Sequence, residues 1–224
     1  MHDVGIYEIL ILGIHFLLLK KCKIFDEKTI VTCYTGRSMR IKVRKHERRG
    51  YQSIKMSNIL EKQFLKQRND FEKSCVERDK KYHFPQGVIF ETDIAYAKDK
   101  NKAHRLDRYR PKGKEAQILP VIINVHGGGL LLGNKEFNKY FCALLSKKGF
   151  LVYSMEYRLI PDCTFFDQLR DIFLAMDFVK EHAAADGGDL SHVYLVGDSG
   201  GACLATYANA IQNSKKIAKA AGIK

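Results

Sequence analysis

Ser199 stands in Gly197-Asp198-Ser199-Gly200-Gly201, between the apolar run His192–Val196 and a segment rich in Ala and Leu. A serine on a sharp strand-to-helix turn presents its hydroxyl as a nucleophile. Flanking glycines relieve the crowding of such a turn, and the helix N-terminus behind it favours developing negative charge. A second run, His126-Gly127-Gly128-Gly129, follows the apolar stretch Pro120–Val125. Amides of a glycine run can converge on one oxyanion, and the N–H of Gly200 would add a further donor. The chemistry these two runs share is attack on a carbonyl, with the resulting oxyanion held by backbone amides. Either run alone is a weak signal, since Gly and Ser also mark ordinary turns and a glycine run can cradle phosphate. Their order, and their placement at the ends of strands, make the pair specific.

The surrounding segments have the periodicities needed to position both runs. Gly87–Ala97 alternates and reads as a strand, and Lys102–Tyr109 reads as its partner. Pro120–Val125 and Phe150–Met155 are short apolar runs of the kind buried on both faces of a sheet, and His192–Val196 is another strand. Between them, Glu136–Lys148 and Phe166–His182 repeat apolar residues at helical spacing, with Gly149 suited to end the first, and Gly200–Gln212 is helical. Alternating strands and helices predict an α/β protein: a mostly parallel sheet with helices on both faces. Ser53 to about Lys81 has a helical pattern. The expected organisation is an apolar and basic segment over 1–52, then one α/β domain over 53–224 with a helical cap at 53–81.

Composition narrows the function classes. The 224 residues carry a net charge of +13, with 25 Lys+Arg against 14 Asp+Glu in residues 1–110 and 13 against 11 in 111–224. The basic excess therefore lies away from the chemistry. No zinc-finger spacing, RNP-like aromatic stretch or heptad-linked basic helix accompanies it, so a solvated surface is expected and nucleic acid is not a predicted partner. Six cysteines form no CxxC pair and no zinc-spaced cluster, which predicts no metal, and a reducing, cytoplasmic setting. Val4–Leu19 is mostly apolar but short for a spanning helix, and it contains Glu8 and His15. Two readings stay open for it: a helix associated with a membrane, and a packed helix or a terminus foreign to the domain. GDSGG is also the nucleophile signature of chymotrypsin-like proteases. Those are all-β double barrels, whereas here a helix-forming segment follows the serine, and Ala202 stands where that family usually has Pro.

With Leu106–Pro111 (LDRYRP), His126–Gly129 (HGGG), Tyr157–Asp162 (YRLIPD) and Gly197–Gly201 (GDSGG), the stretch from Gly87 to Ala210 resembles the hormone-sensitive-lipase-like, or fold-3, branch of the α/β-hydrolases. The resemblance implies an α/β-hydrolase fold and hydrolysis of small-molecule carboxylic esters with small or medium acyl groups, without a cofactor. It implies Ser199 as nucleophile and Gly127, Gly128, Gly129 and Gly200 as the oxyanion region. His126 would shape that loop, Asp198 would buttress the elbow, and Arg158 and Asp162 would be supports beside the site. In this fold the catalytic serine is followed by an acid and then a histidine. Residues 200–224 contain no Asp, Glu or His, so the chain is expected to be incomplete at its C-terminus and weak or inactive by itself. A non-catalytic interaction protein on a hydrolase scaffold is the alternative. An unpaired, apolar sheet edge would follow from the same shortness.

Overall fold

The computed structural model describes residues 58–223, with four three-residue strands before them. The remaining residues, and with them most of the 1–52 segment, lie outside the description. The four short strands are β1 (Ile9–Ile11), β2 (Ile14–Phe16), β3 (Leu18–Lys20) and β4 (Ile30–Thr32). The apolar stretch expected to be a helix thus contains extended segments, consistent with its Ile content and with β1 pairing antiparallel to β2. Among the described residues, no helix is long and apolar enough to cross a membrane.

The main body has five strands: β5 (Val88–Ala95), β6 (Arg105–Pro111), β7 (Leu119–Val125), β8 (Leu151–Met155) and β9 (Gly188–Gly197). Its helices are α1 (Asn58–Asp79), α2 (Lys139–Lys147), α3 (Phe165–His182), α4 (Ser199–Gln212) and α5 (Lys215–Ala221). A 3-10 turn, Lys135–Asn138, leads into α2, where the sequence pattern suggested one continuous helix. The sheet runs β3-β4-β9-β7-β8-β6-β5. The three strands β9, β7 and β8 are parallel, and β6 is antiparallel to both β8 and β5. The outer side of β9 was expected to be an unpaired edge. Instead β4 pairs with it in parallel, Val31 opposite Leu195, so the edge is occupied.

Alternation along the central strands builds two cores. Val121, Ile123, Val125, Leu151, Tyr153 and Met155 point to one face, where they pack with Leu169, Ile172 and Met176 of α3 and Leu204 and Ala208 of α4. Ile122, Val152 and Val196 point to the other face and meet Cys142, Ala143 and Leu145 of α2. A sheet covered on both faces explains why β7 and β8 read as unbroken apolar runs. The parallel arrangement places the carboxyl ends of β7, β8 and β9 side by side, and each hands over to a loop or turn there: His126, Glu156 and Asp198 are the first residues beyond them.

Candidate active site

Ser199 is the first residue of α4, directly after β9 and Asp198. Its backbone φ is +46°, a left-handed conformation that an L-residue adopts at a cost of about 1–3 kcal/mol and that recurs at functional turns. The turn is held by close packing. A Cβ on Gly201 would lie 2.2 Å from Val125 O, so only glycine lets the first turn of α4 settle against the end of β7. Ser199 itself is exposed.

The glycine loop lies against this elbow. A Cβ on Gly200 would stand 3.0 Å from both Gly129 N and Leu130 N, so the loop and the start of α4 face each other at contact distance. Gly128 has φ +124°, and a Cβ there would lie 2.0 Å from Leu132 O, which fixes glycine at the bend. Exposure rises along the loop, from buried Gly127 through half-buried Gly128 to exposed Gly129. The start of α4 thus brings Gly200, next to Ser199, against Gly129 and Leu130 of the loop. Gly127 is engaged elsewhere: its N–H donates to Asp198 Oδ1 at 2.9 Å and is not free for an oxyanion. Asp198 Oδ1 thus links the residue before Ser199 to the glycine loop. The same oxygen accepts from Asn138 Nδ2 at 2.8 Å, which ties β9, the glycine loop and the 3-10 turn together.

His126 is fully buried under the loop. Its Nδ1 lies 2.7 Å from Gly127 O and its Nε2 lies 3.0 Å from Glu156 Oε1. Its ring stacks on Tyr157, with centroids 4.3 Å apart, and the Tyr157 hydroxyl donates to His126 O at 2.7 Å. Burial, then the nearby Glu156 and Asp198, push the Tyr157 phenol well above its ordinary range, so it stays a donor. His126 thus sits beneath the loop, in contact with Gly127, Glu156 and Tyr157.

Arg158 and Asp162 are held by different partners. Arg158 turns toward α3 and pairs with Asp171, Nε to Oδ2 at 2.9 Å and Nη2 to Oδ1 at 2.6 Å. The Asp171 carboxylate holds the guanidinium above its ordinary value. Asp171 is completely buried and also lies 3.1 Å from His104 Nε2. Asp162 instead accepts from Arg68 Nη1 at 2.7 Å. Arg68 comes from α1, and it also donates to Leu131 O at 3.0 Å and to Ile160 O at 2.8 Å. Helix α1 is therefore fastened to the chain just after the glycine loop and to the loop after β8. Gln168 adds a further stitch, donating to Leu130 O and Arg158 O, each at 2.9 Å.

Sequence reading missed Arg68, Asn138, Glu156, Gln168 and Asp171. Glu156 carried a local signal, since it stands directly before Tyr157-Arg158 at a strand end. The others are ordinary polar residues on helices or turns, and only the tertiary fold brings them to the loops. No histidine is recorded in hydrogen-bond contact with Ser199 among the described residues. His104 faces Asp99 and Asp171, His182 faces Phe178 O, and His192 faces Asp189.

Residues 106–223 match the BD-FAE family, and this stretch begins in β6 and contains both the glycine loop and the elbow. The chain belongs to the BD-FAE family. Its esterase neighbours agree with the hormone-sensitive-lipase-like character of the motifs. Over 114 residues it is 32% identical to isoprenylcysteine alpha-carbonyl methylesterase of Arabidopsis thaliana, a match covering 51% of this chain and 26% of that protein. Over 112 residues it is 30% identical to versiconal hemiacetal acetate esterase of Dothistroma septosporum, covering 50% and 32%. Esterase B from Lactobacillus rhamnosis, solved with a tributyrin phosphonate inhibitor, superposes with a TM-score of 0.71 at 29% identity, covering 75% of this chain and 55% of that one. A bacterial heroin esterase gives a TM-score of 0.57 at 26% identity, covering 70% and 47%. This BD-FAE chain thus spans about a quarter to a third of the length of these curated relatives and about half of the solved ones.

Proposed function

We propose that this chain carries the nucleophile and oxyanion half of a serine carboxylic ester hydrolase. The observation that carries the reading is the left-handed Ser199, exposed at a strand-to-helix turn and set against a glycine loop across Gly200. In the reaction, Ser199 Oγ attacks the ester carbonyl carbon, and the carbonyl oxygen becomes an oxyanion. Gly128, Gly129 and Gly200 donate their N–H groups to it, while Gly127 serves Asp198. The carbonyl re-forms as the alcohol leaves, and water then releases the acid from Ser199. Both proton transfers need a base, a role that histidine plays in the Ser-acid-His arrangement. His126 cannot take that role, because both of its ring nitrogens are engaged beneath the loop. The 224-residue chain is therefore expected to turn over esters poorly, by about 10³-fold or more below a complete triad. Small-molecule carboxylic esters with small or medium acyl groups are the proposed substrates, in keeping with the names of the relatives.

The test is to incubate the chain with a reactive alkyl phosphonate and locate the adduct by mass spectrometry. Labelling at Ser199 that disappears in Ser199→Ala supports the assignment. Labelling elsewhere, or ester turnover that survives Ser199→Ala, overturns it. Full esterase rates from the 224-residue chain would contradict the expected lack of a base.

A further inference from the structure

Arg68, on α1, stands at the head of a chain of peptide groups that ends in the glycine loop. Its Nε–H donates to Leu131 O at 3.0 Å. The same peptide carries the Leu132 N–H, which donates to Gly128 O at 2.9 Å. That carbonyl belongs in turn to the peptide whose N–H is that of Gly129. Each peptide accepts at its oxygen and donates at its nitrogen, so the chain runs in one direction from the guanidinium to the loop.

A second line reaches the same carbonyl. Gln168 Nε2 donates to Leu130 O at 2.9 Å, and Ile160 N–H donates to it at 3.0 Å. The Leu130 carbonyl shares a peptide with the Leu131 N–H, which donates to Gly128 O at 3.2 Å. Arg68 serves this line too, because its Nη2 holds Ile160 O at 2.8 Å. Its Nη1 pairs with Asp162 at 2.7 Å, which completes the fork. The Arg68 side chain is 17% exposed, so its bonds to the two carbonyls are sheltered from competing water.

Both lines converge on Gly128 O, and together they occupy its two acceptor positions. The Gly128–Gly129 peptide is trans and planar, so fixing its oxygen fixes the opposed Gly129 N–H. Gly129 N lies 3.0 Å from the point where a Cβ on Gly200 would stand, which places this N–H at the start of α4, beside the residue that follows Ser199. Among the described residues, no group accepts from it. Hydrogen bonds in a chain polarise one another, and a cation at the head strengthens the donor at the tail.

We infer that Arg68 is the positioning residue of the Gly129 amide, acting through the Leu131–Leu132 and Gly128–Gly129 peptides. The role rests on the proposed function, in which that amide receives the oxyanion. Docking of α1 and the aim of an oxyanion donor are thereby one event.

The experiment compares the 224-residue chain with Arg68→Met, which keeps an apolar stem and removes all three donors. Residue-resolved amide exchange is measured first, without inhibitor. Protection at Leu132 should fall by about tenfold or more, as for loss of a hydrogen bond from a charged group, while β7 and β8 keep theirs. Inactivation of Ser199 by an alkyl phosphonate is then resolved into a binding constant and a limiting rate. The limiting rate should fall by about tenfold and the binding constant should stay within about threefold, because the amide meets charge that develops only during attack. Unchanged Leu132 protection, an unchanged limiting rate, or a loss confined to binding overturns the inference. If the variant does not fold, the parent chain decides. Couplings across the hydrogen bonds from Arg68 Nε to the Leu131 carbonyl and from Leu132 N to the Gly128 carbonyl are then expected, and the absence of either overturns the inference. A parent chain that does not label at Ser199 removes the proposed function alone, and Leu132 exchange still decides whether Arg68 positions the amide.

Discussion

Ser199 and the residues around it show how far single positions can be read. The serine, the glycines and His126 were legible because each has a rare local requirement: a left-handed φ, a close approach, or a place at a strand end. The engagement of the Gly127 N–H by Asp198 was not legible, because the two residues lie 71 positions apart. Removing that carboxylate has a cost. Asp198→Ala leaves the Gly127 amide without its acceptor and the Asn138 amide with only Asn124 Oδ1, 3.5 Å away. We expect a loss of about 1–3 kcal/mol in denaturant-measured stability, and about 0.5 kcal/mol or less would argue that water replaces the carboxylate. Gly128→Ala acts on chemistry instead. A Cβ 2.0 Å from Leu132 O must displace the loop, and the phosphonate labelling rate of Ser199 should fall by about 10²-fold or more.

At the scale of elements, α3 follows local rules and α1 does not. Thr164 caps α3 by accepting from Asp167 N–H, and the Asp167 carboxylate accepts in return from Thr164 N–H. Thr164→Ala should cost about 1 kcal/mol, read as a shift in the denaturation midpoint. Hydrogen bonds from Thr164 and from its backbone, with Arg170 assisting, hold the Asp167 carboxyl below the usual carboxylate range. Ser191 and His192 likewise pull Asp189 down to about 2. Both groups bind protons more weakly when folded. Their stabilisation is present above the ordinary aspartate value and fades as pH falls from about 4 toward 2. An acid titration of the melting temperature checks this, and stability that rises over that window contradicts it. The cap helix α1 was expected from an apolar stripe, yet Leu65 and Val76 are exposed. Arg68, together with Phe71 against Phe137 and Tyr140 donating to Asp79 O, docks it instead. Arg68→Ala should therefore speed amide exchange across 58–79 while leaving β7 and β8 protected. The helix α5 escaped notice because its alanines and lysines carry little apolar periodicity.

For the molecule as a whole, composition and alternation disclosed an α/β layer structure but not the strand order. Pairing partners such as β7 and β9 are some 70 residues apart, and nothing local records that they meet. The same holds for the charge cluster around the buried Lys135. Its ammonium joins Asp107 on β6, Asp93 in the irregular stretch of β5, and Glu136 in the 3-10 turn. Burial would lower its affinity for the proton, but these carboxylates hold it above its ordinary value. Lys135→Met leaves Asp107, 1% exposed, without its counter-charge, and a loss of about 3–5 kcal/mol is expected in chemical denaturation. A loss under about 1 kcal/mol would mean that Asp107 takes up a proton instead.

The bond from Gly127 to Asp198 also sets an order of events during synthesis. The loop leaves the ribosome first, and its anchor follows only after α2, β8, α3 and β9 have been made. A nascent chain halted anywhere in that interval bears the glycines without the carboxylate that bends them. The Gly127 amide thus finds its acceptor late, when the elbow emerges and meets a segment made earlier.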